Sequence, residues 1–288
     1  MRCDLHVHTD RSGMCTIPLL NRICRESYSD PLEVYGALKQ RGMDLVTVTD
    51  HDSIDAAERL RRFPDFFLSE EVSCTTAEGT RFHLGVYDIS ERDHVEIQRR
   101  REDIPSLVAY LEERGLFFSI NHVFSGLTGR RTDADFTLFQ EFFPGVETQN
   151  GQMPAACNRE AQKLAAGWGK AAVGGSDAHT LSSLGQTFTN VPGARNKAEF
   201  LAGLKSGRSV PAGHSGNYAK LTIAVMDIGT HLVQEHPWVA VFLPLALALP
   251  AVTLFTCSRD FAFAHWWSRR LAERPLLRTA LASSREEA

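Results

Sequence analysis

Short apolar runs alternate with amphipathic stretches along roughly the first 210 residues of the chain. The runs are followed by loops rich in Gly, Asp, Ser or Thr, as is typical of buried strands. This pattern predicts strands at residues 3–8, 44–49, 66–72, 82–87, 116–121, 146–148 and 171–174.

The stretches between these runs carry helix-end signals. Ser29 and Asp30 precede Pro31, and a capping residue followed by Pro marks the start of a helix. Gly42 ends this helix, and Gly115 ends another in the same way. The pattern predicts helices at residues 31–40, 53–61, 105–114, 133–142, 154–167 and 196–206.

The regular alternation of strands and helices indicates an α/β protein. One continuous run of such units favours a parallel (β/α) barrel over a sandwich or a helical bundle. We expect this barrel to form a domain at residues 1–220, followed by a C-terminal appendage at residues 221–288. A barrel of this kind collects its functional groups at the strand ends.

The alternation stops after Gly229, and residues 237–258 contain no Asp, Glu, Lys or Arg. That length is sufficient to cross a bilayer, although Pro244 and Pro250 would kink a helix there. A flank typical of a cytoplasmic membrane interface follows, with Trp266, Trp267, Arg269, Arg270, Arg274 and Arg278. We predict membrane association through residues 237–258, as a span, a re-entrant segment or a surface-lying segment. The alternative is a buried C-terminal helix pair.

Composition and termini favour a cytoplasmic location with the membrane as an attachment point. The first residues, MRCDLHVHTD, have no apolar signal segment. The six cysteines form no CxxC pair, which argues against a disulfide framework or a cysteine zinc site. A net charge of −4 gives no general attraction to nucleic acid. One membrane crossing with the basic flank inside would place the N-terminal domain outside, so the topology stays open, as does the oligomeric state.

Histidines and carboxylates recur near the ends of the predicted strands. His6 and His8 are two apart in one strand, so their imidazoles face the same side. Asp177 and His179 repeat this spacing after a small apolar strand. Further candidates at strand ends are Asp50, His51, Glu71, His83 and His122. Imidazole and carboxylate ligands without thiolate suit zinc, manganese or iron.

Six segments in this order resemble the motifs of the PHP (polymerase and histidinol phosphatase) superfamily: DLHVHTDRSG, VTVTDHDS, EEVS, HLGVYD, NHV and GGSDAHT. Each is a loose motif alone, but their order and spacing from residue 3 to about residue 213 are specific. The resemblance implies a distorted seven-stranded barrel of the TIM type. It also implies a di- or trinuclear metal centre that hydrolyses phosphate esters with a metal-activated water.

The resemblance implies a role for each motif residue and two or three divalent ions per chain. The ligands of the first ion would be His6, His8, Glu71 and Asp177. Glu71 would bridge to a second ion, whose other ligands would be His83 and His122. A third site would take His51 and His179, which are also the candidate catalytic residues. Asp50 would orient a ligand histidine rather than bind metal itself.

The third site departs from the family pattern. Relatives usually have a further His or Asp five or six residues beyond the second His of HxH, where this chain has Gly13 and Met14. The third ion is therefore weakly bound, absent, or held by another group such as Asp10 or Cys15.

The bridging carboxylate has a neighbour that could replace it. Glu70 precedes Glu71, and strand alternation would point the two side chains in opposite directions. We favour Glu71 because the family's Glu precedes a small apolar residue and a Ser, as Glu71 precedes Val72 and Ser73.

Substrate recognition is less specified. Arg130 and Arg131, beside glycines in the loop after His122, are candidate phosphate-binding residues, and the alternative is a pair of ordinary surface arginines. The short span between His83 and His122 leaves little room for an inserted substrate domain. A small phosphorylated substrate or the end of a short oligonucleotide is therefore preferred.

Two other functions fit part of the pattern. A metal-dependent amidohydrolase barrel also opens with HxH and closes with an Asp, but the TDH and SDAH segments argue against it. A metal-binding regulatory or membrane-attached module without turnover is the other alternative, and the change at Gly13 and Met14 keeps it open.

Overall fold

The computed structural model describes residues 1–273. Within them the strands are β1 (Arg2–Cys3), β2 (Ser69–Thr75), β3 (Arg81–Tyr87), β4 (Phe117–Ile120), β5 (Gly145–Asn150), β6 (Ala171–Gly175), β7 (Thr187–Asn190) and β8 (Val210–Gly213). The α-helices are α1 (Pro31–Gln40), α2 (Ala57–Leu60), α3 (Glu91–Arg100), α4 (Ile104–Glu113), α5 (Asp133–Phe142), α6 (Ala155–Trp168), α7 (Lys197–Lys205), α8 (Tyr218–Glu235) and α9 (Leu249–Ala272). Two 3₁₀ segments cover Leu20–Arg22 and Pro237–Ala248.

The strands form a mixed α/β fold with two sheets. One has the order β2-β3-β4-β5-β6 and the other the order β1-β7-β8. Strands β4, β5 and β6 are parallel, whereas β3 is antiparallel to both of its neighbours. The prediction of an all-parallel sheet is therefore wrong at β3, and also in the smaller sheet, where β7 is antiparallel to both β1 and β8. The connection between β2 and β3 is a tight turn in which Thr76 N donates to Thr80 O at 2.8 Å, and a connection so short permits only antiparallel pairing.

Two predicted strands run alongside the larger sheet with few regular hydrogen bonds. Residues 44–51 lack a regular ladder, but Val46 bridges to Phe66 and His51 bridges to Glu71 at the β2 edge. Thr49 N donates to Val7 O at 2.8 Å, and Val7 bridges to Ala178 just after β6. The regular ladders of the described residues do not form a closed sheet, and these irregular contacts link its two edges.

Local capping explains the predicted helices. Asp30 accepts from Leu32 N at 2.8 Å at the start of α1, which has the predicted bounds. The predicted helix at residues 53–61 shortens to α2, and Asp55 N instead donates to Ser53 Oγ at 3.2 Å. Helix α3 was not predicted because its ten residues are mostly charged. A capping box of Ser90 and Asp93 starts it.

The C-terminal appendage is anchored to the domain at one end. In α9, Trp267 is buried and its ring lies 4.6 Å from that of Phe136. Asp260 of the same helix is buried and accepts from Gly126 N at 2.9 Å. The alternative to membrane association, a helix packed on the domain, therefore fits this half of α9. Arg274 and Arg278 lie outside the described residues.

The preceding part of the appendage is exposed. We call residues 237–255 the apolar segment, and its exposed fractions include 68% for Leu245 and 86% for Leu247. The stretch Pro237–Ala272 is long and apolar enough to cross a membrane by length and composition, and its most apolar 18-residue window has a mean hydropathy of 2.2 and is only 6% buried.

Candidate metal centre

The HxH pair lies on the segment that follows β1. Asp177 N donates to His6 O at 2.7 Å and His8 N donates to Ala178 O at 3.1 Å, so the segment runs beside the chain after β6. A Cβ on Gly175 would lie 2.4 Å from the Cβ of His6. Glycine at this position therefore lets the two backbones come close, and it brings Asp177 next to both imidazoles.

Glu71 is at the centre of the site. Its carboxylate contacts the imidazole nitrogens of His6 at 3.1 Å, His8 at 3.4 Å, His51 at 3.3 Å, His83 at 3.5 Å and His122 at 3.1 Å. Glu70 faces the other way, and its carboxylate accepts from His94 Nδ1 and Gln98 Nε2 at 2.8 and 2.9 Å. This arrangement supports Glu71 as the bridging residue.

Asp177 completes the first ligand set. Its Oδ1 lies 3.5 Å from His6 Nε2 and 3.4 Å from His8 Nε2. His6, His8 and Asp177 form one of three groups among the described residues whose ligand atoms all lie within 4.8 Å of one another and could hold a metal ion. The other two are His6 with Glu71 and His122, and His8 with His51 and Glu71. His83 belongs to none of the three groups; its Nδ1 contacts Glu71, and its ring lies edge-on to the rings of His51 and His122.

The separations within the centre are those expected of ligands that share an ion. Two ligand atoms on one tetrahedral zinc ion lie about 3.4 Å apart, given bond lengths of about 2.1 Å. The contacts of His8 and His51 with Glu71, at 3.4 and 3.3 Å, match this value. The hydrogen bond between His6 Nδ1 and Glu147 is shorter, at 2.8 Å.

Three histidines are held through Nδ1, which leaves Nε2 directed into the centre. His6 Nδ1 bonds to Glu147 at 2.8 Å, His8 Nδ1 bonds to Ser12 Oγ at 2.8 Å, and His179 Nδ1 donates to Asp177 O at 3.0 Å. Metal-binding histidines commonly use the second nitrogen in this way, which fixes the tautomer and the ring orientation.

Several buried nitrogens in the centre have no hydrogen-bond partner among the described residues: His8 Nε2, His51 Nδ1, His83 Nδ1 and His122 Nδ1. A buried polar atom without a partner is costly. A cation shared by the imidazoles and carboxylates would satisfy the inward-facing His8 Nε2. The imidazole and carboxylate donors, the distances between their ligand atoms and the unpartnered His8 Nε2 all fit bound divalent ions.

Electrostatics favour carboxylates in their ionised form. Burial opposes ionisation of Glu71, but the nearby His6, His51 and His83 outweigh it and hold the pKa of Glu71 well below its usual range. The same balance holds the pKa of Asp177 well below its usual range, chiefly through His6. Burial lowers the pKa of His8 to about 3, so its imidazole is neutral, as a metal ligand requires.

Two predicted ligands have left-handed backbone conformations. The φ angle is 25° at His122 and 51° at Asp177. Such angles are unusual for residues other than Gly and tend to occur where the surrounding structure enforces them, often at functional sites. Asn150 holds Asp177, donating from Nδ2 to Oδ2 at 3.0 Å.

Asp50 contacts Thr9, the residue directly after His8, and not an imidazole. Its carboxylate accepts from Thr9 N and Thr9 Oγ1 at 2.6 and 2.7 Å, and burial raises the pKa of Asp50 to about 7. Asp50 therefore fixes the backbone directly after His8 instead of bonding to a ring nitrogen. Its expected role in orienting a ligand histidine stays a prediction through this indirect route.

The two predicted phosphate-binding arginines are not brought into the histidine cluster by any contact within the described residues. Arg131 is buried, donates to Arg81 O at 2.5 Å and Thr128 Oγ1 at 2.7 Å, and lies over the Phe139 ring. Burial lowers its pKa to about 10. Arg130 is exposed. Their role in phosphate binding stays a prediction.

Two acidic residues of the centre escaped the sequence analysis. Glu147, near the middle of β5, supports His6, and a search of every predicted strand for carboxylates would have found it. Glu26 lies in a loop outside all six motifs, with Oε1 at 3.4 Å from His51 Nε2 and 3.5 Å from His179 Nε2. The spacing of residues in the sequence does not predict Glu26, because only the folded conformation of the loop brings its carboxylate to the imidazoles.

A cavity of about 320 Å³ opens beside His179. Residues of the loop that precedes α1, such as Tyr28, line one side, and Asp227 and His231 of α8 line another. The C-terminal appendage therefore contributes directly to the surroundings of the centre.

Residues 156–209 match the family model described as PHP-associated. The structure is similar to the crystal structure of PsfC from Pseudomonas syringae PB-5123, with a TM-score of 0.58 and 17% identity over 80% of this chain and 98% of that one. It is less similar to the lesion-specific endonuclease PfuEndoQ from Pyrococcus furiosus, with a TM-score of 0.48 and 15% identity over 71% and 56%. For an amidohydrolase from Chromobacterium violaceum the TM-score is 0.46, with 16% identity over 73% and 98%. No curated protein sequence matches significantly.

Proposed function

We propose that this chain, whose resemblance to the PHP superfamily is supported by the PHP-associated match over residues 156–209, is a metal-dependent hydrolase that cleaves phosphate esters. The observation that carries the proposal is one buried carboxylate, Glu71, within 3.5 Å of five imidazoles. Bound divalent ions would acidify a water and offset charge on the phosphoryl oxygens.

The side chains divide this work among themselves. His6, His8, Glu71 and Asp177 would hold one ion, and Glu71 would share a second with His83 and His122. The side chains of Glu147 and Ser12 keep His6 and His8 in one tautomer and one orientation. His51 and His179, beside the cavity, would hold a third ion or pass a proton to the leaving group.

The irregular contacts between the sheet edges support a distorted barrel. The segment that carries Val7 lies beside the chain just after β6, and the segment at residues 44–51 joins it through Thr49 and reaches β2 through His51. Together with β2 to β6, these two segments make seven stretches of chain that could form one ring. In such a ring the predicted ligands share one end. The reversed direction of β3 explains why His83 lies near the start of its strand and still faces Glu71.

The cavity beside His179 supports a small substrate or the end of a short oligonucleotide. Its volume of about 320 Å³ is at the lower limit of ordinary small-molecule pockets. We therefore propose that the leaving group of the ester lies between the loop that carries Tyr28 and helix α8.

The test is elemental analysis of the purified full chain, together with hydrolysis of a generic phosphomonoester and phosphodiester with and without Mn²⁺ or Zn²⁺. We expect two or three ions per chain and turnover that depends on them. An amide substrate serves as the comparison. Metal binding without ester hydrolysis would favour the regulatory module, and amide hydrolysis in place of ester hydrolysis would favour the amidohydrolase.

We also propose that the apolar segment attaches the protein to a lipid membrane. Its leucines and aromatic rings are exposed, while the end of α9 is held on the domain by Asp260 and Trp267. This half of α9 packs against the domain, so only the apolar segment is free to enter a membrane. The length of that segment favours insertion at a bilayer surface. Arg269 follows and suits an anionic headgroup region, whereas Arg270 is paired with Asp133 of the domain.

The membrane proposal predicts that the full chain floats with vesicles of zwitterionic lipid containing some anionic lipid. Placing charges in the segment, with Leu245→Glu and Leu247→Glu together, should weaken binding at least about 100-fold, because two leucine side chains that would enter the bilayer are lost. Val95→Glu with Leu127→Glu adds the same charge at exposed sites elsewhere and should float normally. A wild-type chain that stays in solution, or equal flotation of all three proteins, would overturn the proposal.

A further inference from the structure

His51 and His179, the predicted ligands of the third ion, have a carboxylate neighbour that no motif identifies. Glu26 Oε1 lies 3.4 Å from His51 Nε2 and 3.5 Å from His179 Nε2. Both separations are close to the spacing of about 3.4 Å between two ligands of one tetrahedral ion.

The fold of the loop explains how Glu26 reaches this position. Met14 bridges to Arg25 in antiparallel fashion, and Glu26 N donates to Gly13 O at 3.1 Å. Glu26 is therefore the cross-strand neighbour of the positions where relatives carry a ligand. Met14 itself is 43% exposed. The carboxylate of Glu26 therefore lies on the opposite strand of the loop.

We propose that Glu26 is the carboxylate ligand of a third divalent ion, held together with His51 and His179. The inference rests on the proposed metal centre and removes its one gap. Asp10 and Cys15, the substitutes suggested by sequence position, have no contact with His51 or His179 among the interactions of the described residues. The chain thus supports a trinuclear centre with a ligand from a separate part of the loop.

Helix α8 keeps this loop in place. Arg25 donates from Nη2 and Nε to Glu235 at 2.8 and 3.1 Å. The Tyr28 ring stacks on His231, with centroids 5.5 Å apart and an angle of 17° between the planes. Contacts to α8 therefore flank Glu26 on both sides. The appendage acts as a positioning element for the third ion.

The test counts ions directly. The full chain is loaded with Mn²⁺ or Zn²⁺, excess metal is removed, and the bound metal is measured by elemental analysis. We expect three ions per chain in the wild type and two in Glu26→Gln, with affinity for the third ion reduced on the order of 100-fold or more. Glu33→Gln removes the same charge from the wall of the adjoining cavity and should keep three.

Folding is checked by thermal unfolding in chelator, where Glu26→Gln and the wild type should unfold at similar temperatures. If Glu26→Gln does not fold, Glu26→Asp retains the charge with a shorter reach and should bind the third ion at least about 10-fold more weakly. Two ions in the wild type, or a third ion held equally by the Glu26 variants, would overturn the inference. Because no substrate is used, three ions with loss of one in the variant and no ester hydrolysis would refute only the proposed function.

Discussion

Glu71→Gln is expected to lower ester hydrolysis on the order of 1,000-fold and to reduce the bound metal by at least one ion per chain. The amide keeps the size of the side chain but removes the charge shared by five imidazoles. Several kcal/mol of charge stabilisation depend on the bound ions, and each 1.36 kcal/mol corresponds to about tenfold in rate. Steady-state kinetics and elemental analysis on the same preparation measure both effects.

The neighbouring residue provides a matched control. Glu70 is equally buried but contacts His94 and Gln98 on the other side of the strand. Glu70→Gln removes the same charge one position away and should retain the full metal content. If Glu70→Gln lost metal while Glu71→Gln kept it, the bridging assignment would have to move by one residue.

Metal removal is expected to lower the thermal stability of the domain substantially. The centre buries Glu71 and Glu147 and leaves the Asp177 side chain only 13% exposed, and buried charges are costly unless they are paired or bound to a cation. A site occupied at about 1,000 times its dissociation constant contributes about 4 kcal/mol to the stability of the folded state. For a domain of this size that corresponds to a rise in Tm on the order of 10 °C.

Calorimetry of the metal-free protein with added Mn²⁺ or Zn²⁺ measures this increase. Asp177→Asn keeps the side-chain volume and weakens the first ligand set, so its increase should be much smaller. A Tm that does not respond to metal in the wild type, or an equal response in Asp177→Asn, would argue against ion binding at these residues.

Much of the centre was accessible from the sequence because it depends on local spacing. In the HxH segment, strand periodicity puts His6 and His8 on one side whatever the fold. Capping chemistry similarly determined α1, since Asp30 and Pro31 act only on the first helical turn. The ordered motifs then identified His51, Glu71, His83, His122, Asp177 and His179, which the structure brings into mutual contact.

Contacts between distant parts of the chain were decided only by the tertiary structure. The direction of β3 depends on a tight turn, and Asp50 contacts Thr9 because two separate strand ends meet. Glu26 enters the centre through a loop that folds back on Gly13 and is held by α8. Periodicity and motifs record local geometry, whereas the position of a loop residue depends on the sum of weak non-local contacts, which leave no regular spacing in the sequence.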